Sequence, residues 1–149
     1  MQENTPFGVS ELLVQAQRMK KWYEEALHAV AVQYGLTMNE LSVLLFLANN
    51  PGRDTAVELV ELRGLAKSQV CRSVEALQAR GMLVGEQDPK DRRRVHLALT
   101  GRAAAPVREA QRLFIDLLYR GVTEEERAIL ARVFDRIGKN VQEVLEHAD

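Results

Sequence analysis

Apolar residues recur along most of this chain at spacings of three and four, and in one place they alternate instead. From Val9 to Tyr34, a stripe of Leu12, Ala16, Met19, Tyr23, Ala26 and Val30, widened by Trp22 and Leu27, predicts a long amphipathic helix that Gly35 ends. The residues before Val9 are mostly polar, carry Pro6 and Gly8, and read as a loose arm. Thr37-Met38-Asn39-Glu40 is a capping-box sequence for the next helix. That helix runs to about Asn49, and the run Val43 to Ala48 makes it the expected buried helix. Thr55 to Glu58 is a second capping box, opening a short helix to about Leu62 with Leu59 and Leu62 inward. After the Arg63-Gly64 turn, Val70, Val74 and Leu77 give a helix from Lys67 to Arg80 one apolar edge.

Beyond Gly81 the period changes to two. Leu83 to Gln87 and Arg94 to Leu99 are predicted strands, the second with Val95, Leu97 and Leu99 on one face. Helical spacing returns from Thr100-Gly101 to about Arg120, with Val107, Ala110, Phe114 and Leu117. Thr123 to Glu126 is a third capping box. In the last helix Leu130, Phe134, Ile137, Val141 and Val144 step by four and three in a heptad-like seam. The fold class is therefore mainly α with a small β-hairpin. Two short helices joined across a turn containing Gly make a helix-turn-helix. The first, fifth and sixth helices carry more apolar stripe than one small lobe covers, so packing against a second chain is expected.

What the second helix of that pair turns outward suggests its chemistry. With Val70 at zero on the helical wheel, Ser68 and Arg72 fall at about 160° and about 200°, and Gln69 at about 260°. Side chains of this kind can read base edges in a major groove. The hairpin tip, Asp88-Pro89-Lys90-Asp91-Arg92-Arg93, starts as a turn and is dense in cations. Such a tip suits phosphate or a narrow minor groove, and equally a solvated surface hairpin.

The chain has 149 residues and a net charge of only −1. Its charge is nonetheless segregated. Arg63 to Arg102 holds nine basic and four acidic residues, so it carries +5 against −6 for the remainder. That separation suits a protein that binds DNA through one face. The lone cysteine, Cys71, excludes an internal disulfide framework. No apolar run approaches a membrane span and the first residues lack signal-peptide character, so a cytoplasmic location is expected.

The order helix, Gly, hairpin, DPKDRRR and LALT resembles the MarR family of winged helix-turn-helix transcription regulators. The matching motifs are Asp91-Arg92-Arg93 in the wing and Leu99-Thr100 at its end. The resemblance implies a single domain over residues 1–149. Residues 36–100 would form the winged DNA-binding lobe, and residues 9–34 and 101–147 the dimerisation helices. It implies a homodimeric repressor, released by a small aromatic or anionic effector. Arg18, Trp22 and His28 could contact such a ligand, but core and surface packing is the commoner fate of such residues, and they are not assigned as sites. The DNA-binding candidates are Ser68, Gln69, Arg72 and Ser73 on the helix and Arg92, Arg93 and Arg94 on the wing. Arg93 is assigned to the minor groove, and Asp91 is expected to orient an arginine. The sequence departs from the family at Ala66, a poor N-cap where the family often has a hydroxyl residue.

Other readings compete. His28, His96 and His147 fall in three different predicted elements, and no HExxH, GxSxG or phosphate-loop motif occurs, so no enzyme, metal or cofactor is expected. A winged helix can also serve as a protein-interaction module without DNA. Cys71, at about 100° on the wheel, reads as a half-buried space filler. Its rival role is a redox-sensing thiol whose pKa Lys67 and Arg72 would lower.

Overall fold

The computed structural model describes residues 7–148, and the part of the expected arm at residues 1–6 lies outside them. The elements run α1 (Val9–Tyr34), α2 (Met38–Asn49), α3 (Ala56–Arg63), α4 (Lys67–Ala79), β1 (Leu83–Gln87), β2 (Val95–Leu99), α5 (Ala104–Leu113) and α6 (Glu124–Glu146). The chain divides between Arg112 and Leu113 into two compact units.

The first unit is built on α2. Its capping box is complete: Thr37 Oγ1 accepts the Glu40 N–H at 3.1 Å, and Glu40 Oε1 accepts the Thr37 N–H at 3.3 Å. Leu41, Val43, Leu44, Leu45 and Phe46 are all buried, as its unbroken apolar run requires. Around it the core gathers Leu27, Val30 and Ala31 from α1, Leu59 from α3, Val70 and Leu77 from α4, and Leu83 and Leu97 from the strands. The amino-terminal half of α1 is largely exposed, including Leu13, Val14 and Met19. Burial along that stripe begins at Leu27.

Helix α4 starts without a side-chain cap at Ala66. Its far end is better held. Gly81 adopts φ +72°, and the Met82 N–H reaches back to the Leu77 carbonyl at 2.9 Å. Arg80, the C-cap, donates from Nη1 to the Gly35 carbonyl and from Nη2 to the Tyr34 carbonyl, both at 2.9 Å. One guanidinium thus satisfies two orphan carbonyls at the end of α1 and ties α4 to it.

The strands pair antiparallel in the register Leu83↔Leu99 to Gln87↔Val95. Two further backbone bonds anchor the hairpin, one at mid-strand and one at its base. Leu97 N–H donates to the Asp54 carbonyl at 2.8 Å, and Thr100 N–H to the Met82 carbonyl at 3.0 Å. Of the face expected to point inward, Leu97 is buried, Leu99 half-buried and Val95 exposed. A 3-10 turn, Gly101–Ala103, leads into α5, where Pro106, Val107 and Ala110 are buried. The helix expected to reach Arg120 is α-helical only to Leu113, then π-helical over Phe114–Leu118.

In the second unit, Thr123 and Glu126 complete the box that opens α6. No residue of α6 is buried, and Leu130, Phe134, Ile137, Val141 and Val144 lie exposed along its seam. No single helix among the described residues is long and apolar enough to cross a membrane.

Candidate nucleic-acid interface

The outer face of α4 forms as the wheel predicts. Val70 and Leu77 hold the helix to the core, while Ser68, Gln69 and Arg72 are exposed. Ser73 does not join them. It is 6% exposed, because at about 300° on the wheel it lies beside Leu77 rather than opposite Val70. It lines an open groove of about 510 Å³ with Gln69 and Arg72 from α4 and Thr37 and Asn39 from the start of α2. Cys71 is also misplaced by the wheel. It is exposed rather than half-buried, at the rim of a 260 Å³ cavity with Val57, Val60 and Lys67.

The wing turn is built by its two aspartates. Asp88 Oδ1 accepts the N–H groups of Lys90 at 2.8 Å and Asp91 at 3.1 Å, and the Asp88 N–H donates to the Arg94 carbonyl at 2.8 Å. Asp91 Oδ1 accepts the backbone N–H of Arg93 at 3.0 Å. Among the described residues Asp91 does not make the expected ion pair with an arginine guanidinium, and holds the Arg93 main chain instead.

Arg92, Arg93 and Arg94 are all exposed, yet they are not equivalent. Arg94 pairs at 3.8 Å with Glu58 on α3, which also meets Arg53 at 3.5 Å. Glu58 is drawn into this pairing instead of completing its capping box. Thr55 Oγ1 accepts the Glu58 N–H at 3.4 Å, but the Glu58 carboxylate takes the Thr55 hydroxyl at 2.9 Å, not the Thr55 N–H. Arg53, Glu58, Asp91, Arg93 and Arg94 line an open cavity of about 630 Å³ between α3 and the wing.

The positive segment thus sorts into two groups. Arg80 and Arg102 serve backbone carbonyls, Arg63 lies 5.3 Å over the Tyr23 ring, and Arg94 is ion-paired. Among the described residues Lys67, Arg72, Lys90, Arg92 and Arg93 have no ion pair or ring contact. These five cations sit on α4 and the wing tip, free to meet phosphate.

One cluster escaped the sequence reading. The His96 imidazole bridges two carboxylates, with Nδ1 at 2.7 Å from Asp54 Oδ1 and Nε2 at 2.8 Å from Asp88 Oδ2. The hydrogen bond to Asp54, then that to Asp88, raises the His96 pKa above its ordinary 6.5. The bond from His96, with the two backbone N–H donors, lowers Asp88 to about 2. The ring nitrogens point away from each other, so these three groups do not converge on a point. No group of three or more His, Cys, Asp or Glu among the described residues could hold a metal ion.

Of the residues that could contact an effector or simply pack, Arg18 and His28 are exposed and Trp22 is half-buried. All three lie on α1.

Residues 34–94 match the MarR family model. Solved structures of the same fold include a MarR-family transcriptional regulator from Silicibacter pomeroyi, with TM-score 0.71, 22% identity and 90% of each chain covered. They also include MarR itself, with TM-score 0.61, 24% identity, 99% of this chain and 98% of that one. An S. aureus MepR mutant, solved bound to an oligodeoxyribonucleotide, has TM-score 0.57 and 17% identity, covering 97% of this chain and all of that one. No curated protein sequence matches the chain.

Proposed function

We propose that this chain, a MarR-family winged-helix protein through residues 34–94, is a sequence-specific DNA-binding regulator that represses transcription as a homodimer. The observation that carries the reading is the pairing, within one compact unit, of an outward Ser68, Gln69 and Arg72 on α4 with a wing tip whose Lys90, Arg92 and Arg93 are uncommitted. The helix supplies groups suited to base edges, and the wing supplies charge suited to a groove. The MepR structure with its bound oligodeoxyribonucleotide supports the same use of this fold.

In this reading residues 36–100 form the DNA-binding lobe, and the helices at 9–34 and 101–147 hold two copies together. The exposed seam of α6 and the exposed apolar residues at the start of α1 support that assignment. Two α4 helices in a two-fold dimer would read half-sites one turn apart, about 34 Å. Release by a small aromatic or anionic effector belongs to the reading on the family resemblance alone. A protein-interaction module without DNA is the competing use of the fold. Affinity for a mixed-sequence duplex over a salt series separates the two. Binding that weakens linearly in log–log form as salt rises supports the DNA reading. Absence of duplex binding at low salt refutes it.

A further inference from the structure

The aspartates that shape the wing turn are connected, through His96, to the loop between α2 and α3. We propose that His96, with Asp54 and Asp88, is a positioning cluster that latches the wing turn to the α2–α3 loop, so that the wing's hold on DNA weakens when the imidazole loses a proton. This rests on the DNA-binding reading above.

The argument begins with donors and acceptors. An ionised carboxylate only accepts, and a neutral imidazole has one N–H. His96 has a carboxylate oxygen within 2.8 Å of each ring nitrogen, so it satisfies both at once only as the imidazolium. Loss of one proton leaves a ring lone pair facing a carboxylate lone pair. One of the two bonds must then open.

Each bond has a distinct anchor. Asp54 belongs to the α2–α3 loop, whose backbone carbonyl already receives the Leu97 N–H of β2 at 2.8 Å. Asp88 belongs to the wing, where its other oxygen holds the Lys90 and Asp91 N–H groups. A chain of hydrogen bonds thus runs from the α2–α3 loop through His96 and Asp88 to the turn that presents Arg92 and Arg93. Their positions relative to the lobe depend on it.

The charged groups around the ring favour the protonated form. On β1, Glu86 is the register partner of His96 and shares its face. Arg94, two residues earlier in the chain, is engaged by Glu58 of α3, which also holds Arg53 of the loop. Lys90, Asp91, Arg92 and Arg93 complete the wing turn. Asp54 and Asp88 contact the imidazole from two elements, Glu86 lies opposite it in the strand register, and Arg53 and Arg94 are paired with Glu58. The raised pKa of His96 agrees with this arrangement. Because it is raised, the latch is complete below about pH 6.5 and is lost as pH climbs through the folded-state value. Asp88, lowered to about 2, stays ionised throughout that range.

The test uses the full chain and a mixed-sequence duplex at constant salt, from about pH 6 to about pH 9. Wild-type affinity should fall by about tenfold, within the range typical of coupling between two linked sites. His96→Gln should bind weakly at the low end, with little dependence on pH. A flat wild-type profile, or an unchanged slope in His96→Gln, overturns the proposal. A second readout needs no DNA. By NMR, the His96 imidazole should titrate above 6.5 in the free protein and lower in Asp54→Asn, which keeps the carbonyl that holds Leu97. Titration below 6.5, or no response to Asp54→Asn, refutes the latch even where DNA binds. If His96 titrates as expected but no duplex binds at any pH, the DNA reading fails and takes the latch's role in affinity with it.

Discussion

Arg72→Ala and Arg93→Ala remove one arginine each, and the structure says they should fail differently. Arg72 is exposed and has no hydrogen-bond or ion-pair partner among the described residues. Its truncation leaves no buried group unpaired, so stability should change by no more than about 0.5 kcal/mol. Its place on the outer face of α4 suits a bidentate contact to a base, guanine being the usual partner of arginine, worth about 1–3 kcal/mol of discrimination. That is about fivefold to 150-fold in affinity per half-site. Preference at one base pair per half-site should relax, and random duplex should suffer less than the best site. Arg93 sits on a hairpin tip, shaped by the bond from its own N–H to Asp91. In the proposed complex it would meet phosphate or the minor groove, where sequence enters mainly through groove width. Arg93→Ala should weaken all duplexes and reduce the salt slope by about one per subunit. Asp91→Ala should give a milder version, since the guanidinium survives on a looser turn. The assay is affinity across a salt series on a preferred site, base-substituted sites and random duplex. An unchanged affinity and salt slope in Arg93→Ala would refute this reasoning. So would Arg72→Ala lowering every affinity equally.

Three further outcomes are expected. Leu77→Ala, at a fully buried position on the inner face of α4, should cost about 2–5 kcal/mol in denaturant unfolding, and a cost under about 1 kcal/mol would contradict its place in the core. Phe134→Glu or Ile137→Glu should shift a dimer to monomer by sedimentation equilibrium at micromolar concentration, and a folded wild-type monomer under those conditions removes the dimer from the account. Cys71→Ser should leave DNA affinity unchanged and equally indifferent to mild oxidant. Wild-type binding lost to peroxide, restored by thiol and unaffected in the serine variant would make Cys71 a sensor.

What the sequence made legible follows from the range of the interactions involved. Helix starts at Thr37, Thr55 and Thr123 and stops at Gly35, Gly64 and Gly81 are set by contacts within a few residues, so spacing alone located them. The outward face of Ser68, Gln69 and Arg72 was equally local. Ser73 is buried rather than outward, and the same wheel puts it beside Leu77, so that signal was present and unused. Cys71 was expected to be half-covered, but packing of α3 leaves it at a cavity rim, which no periodicity reveals. The two features that most constrain the interface are long-range. Arg80 reaches carbonyls 45 and 46 residues earlier, and His96 reaches an aspartate 42 residues earlier. Their residue types carried no sign of those partners. The π-helical turn after Leu113 likewise interrupts a stripe that continues unbroken in sequence.

Selection of duplexes from a random-sequence pool by the wild-type protein bears most directly on the central claim, that two copies of α4 read DNA while two wings grip it. The account predicts enrichment of a two-fold symmetric site, with half-site centres about 34 Å apart and one base pair per half-site that loses its enrichment with Arg72→Ala. Recovery of unenriched sequences, or of a site without two-fold symmetry, would contradict it.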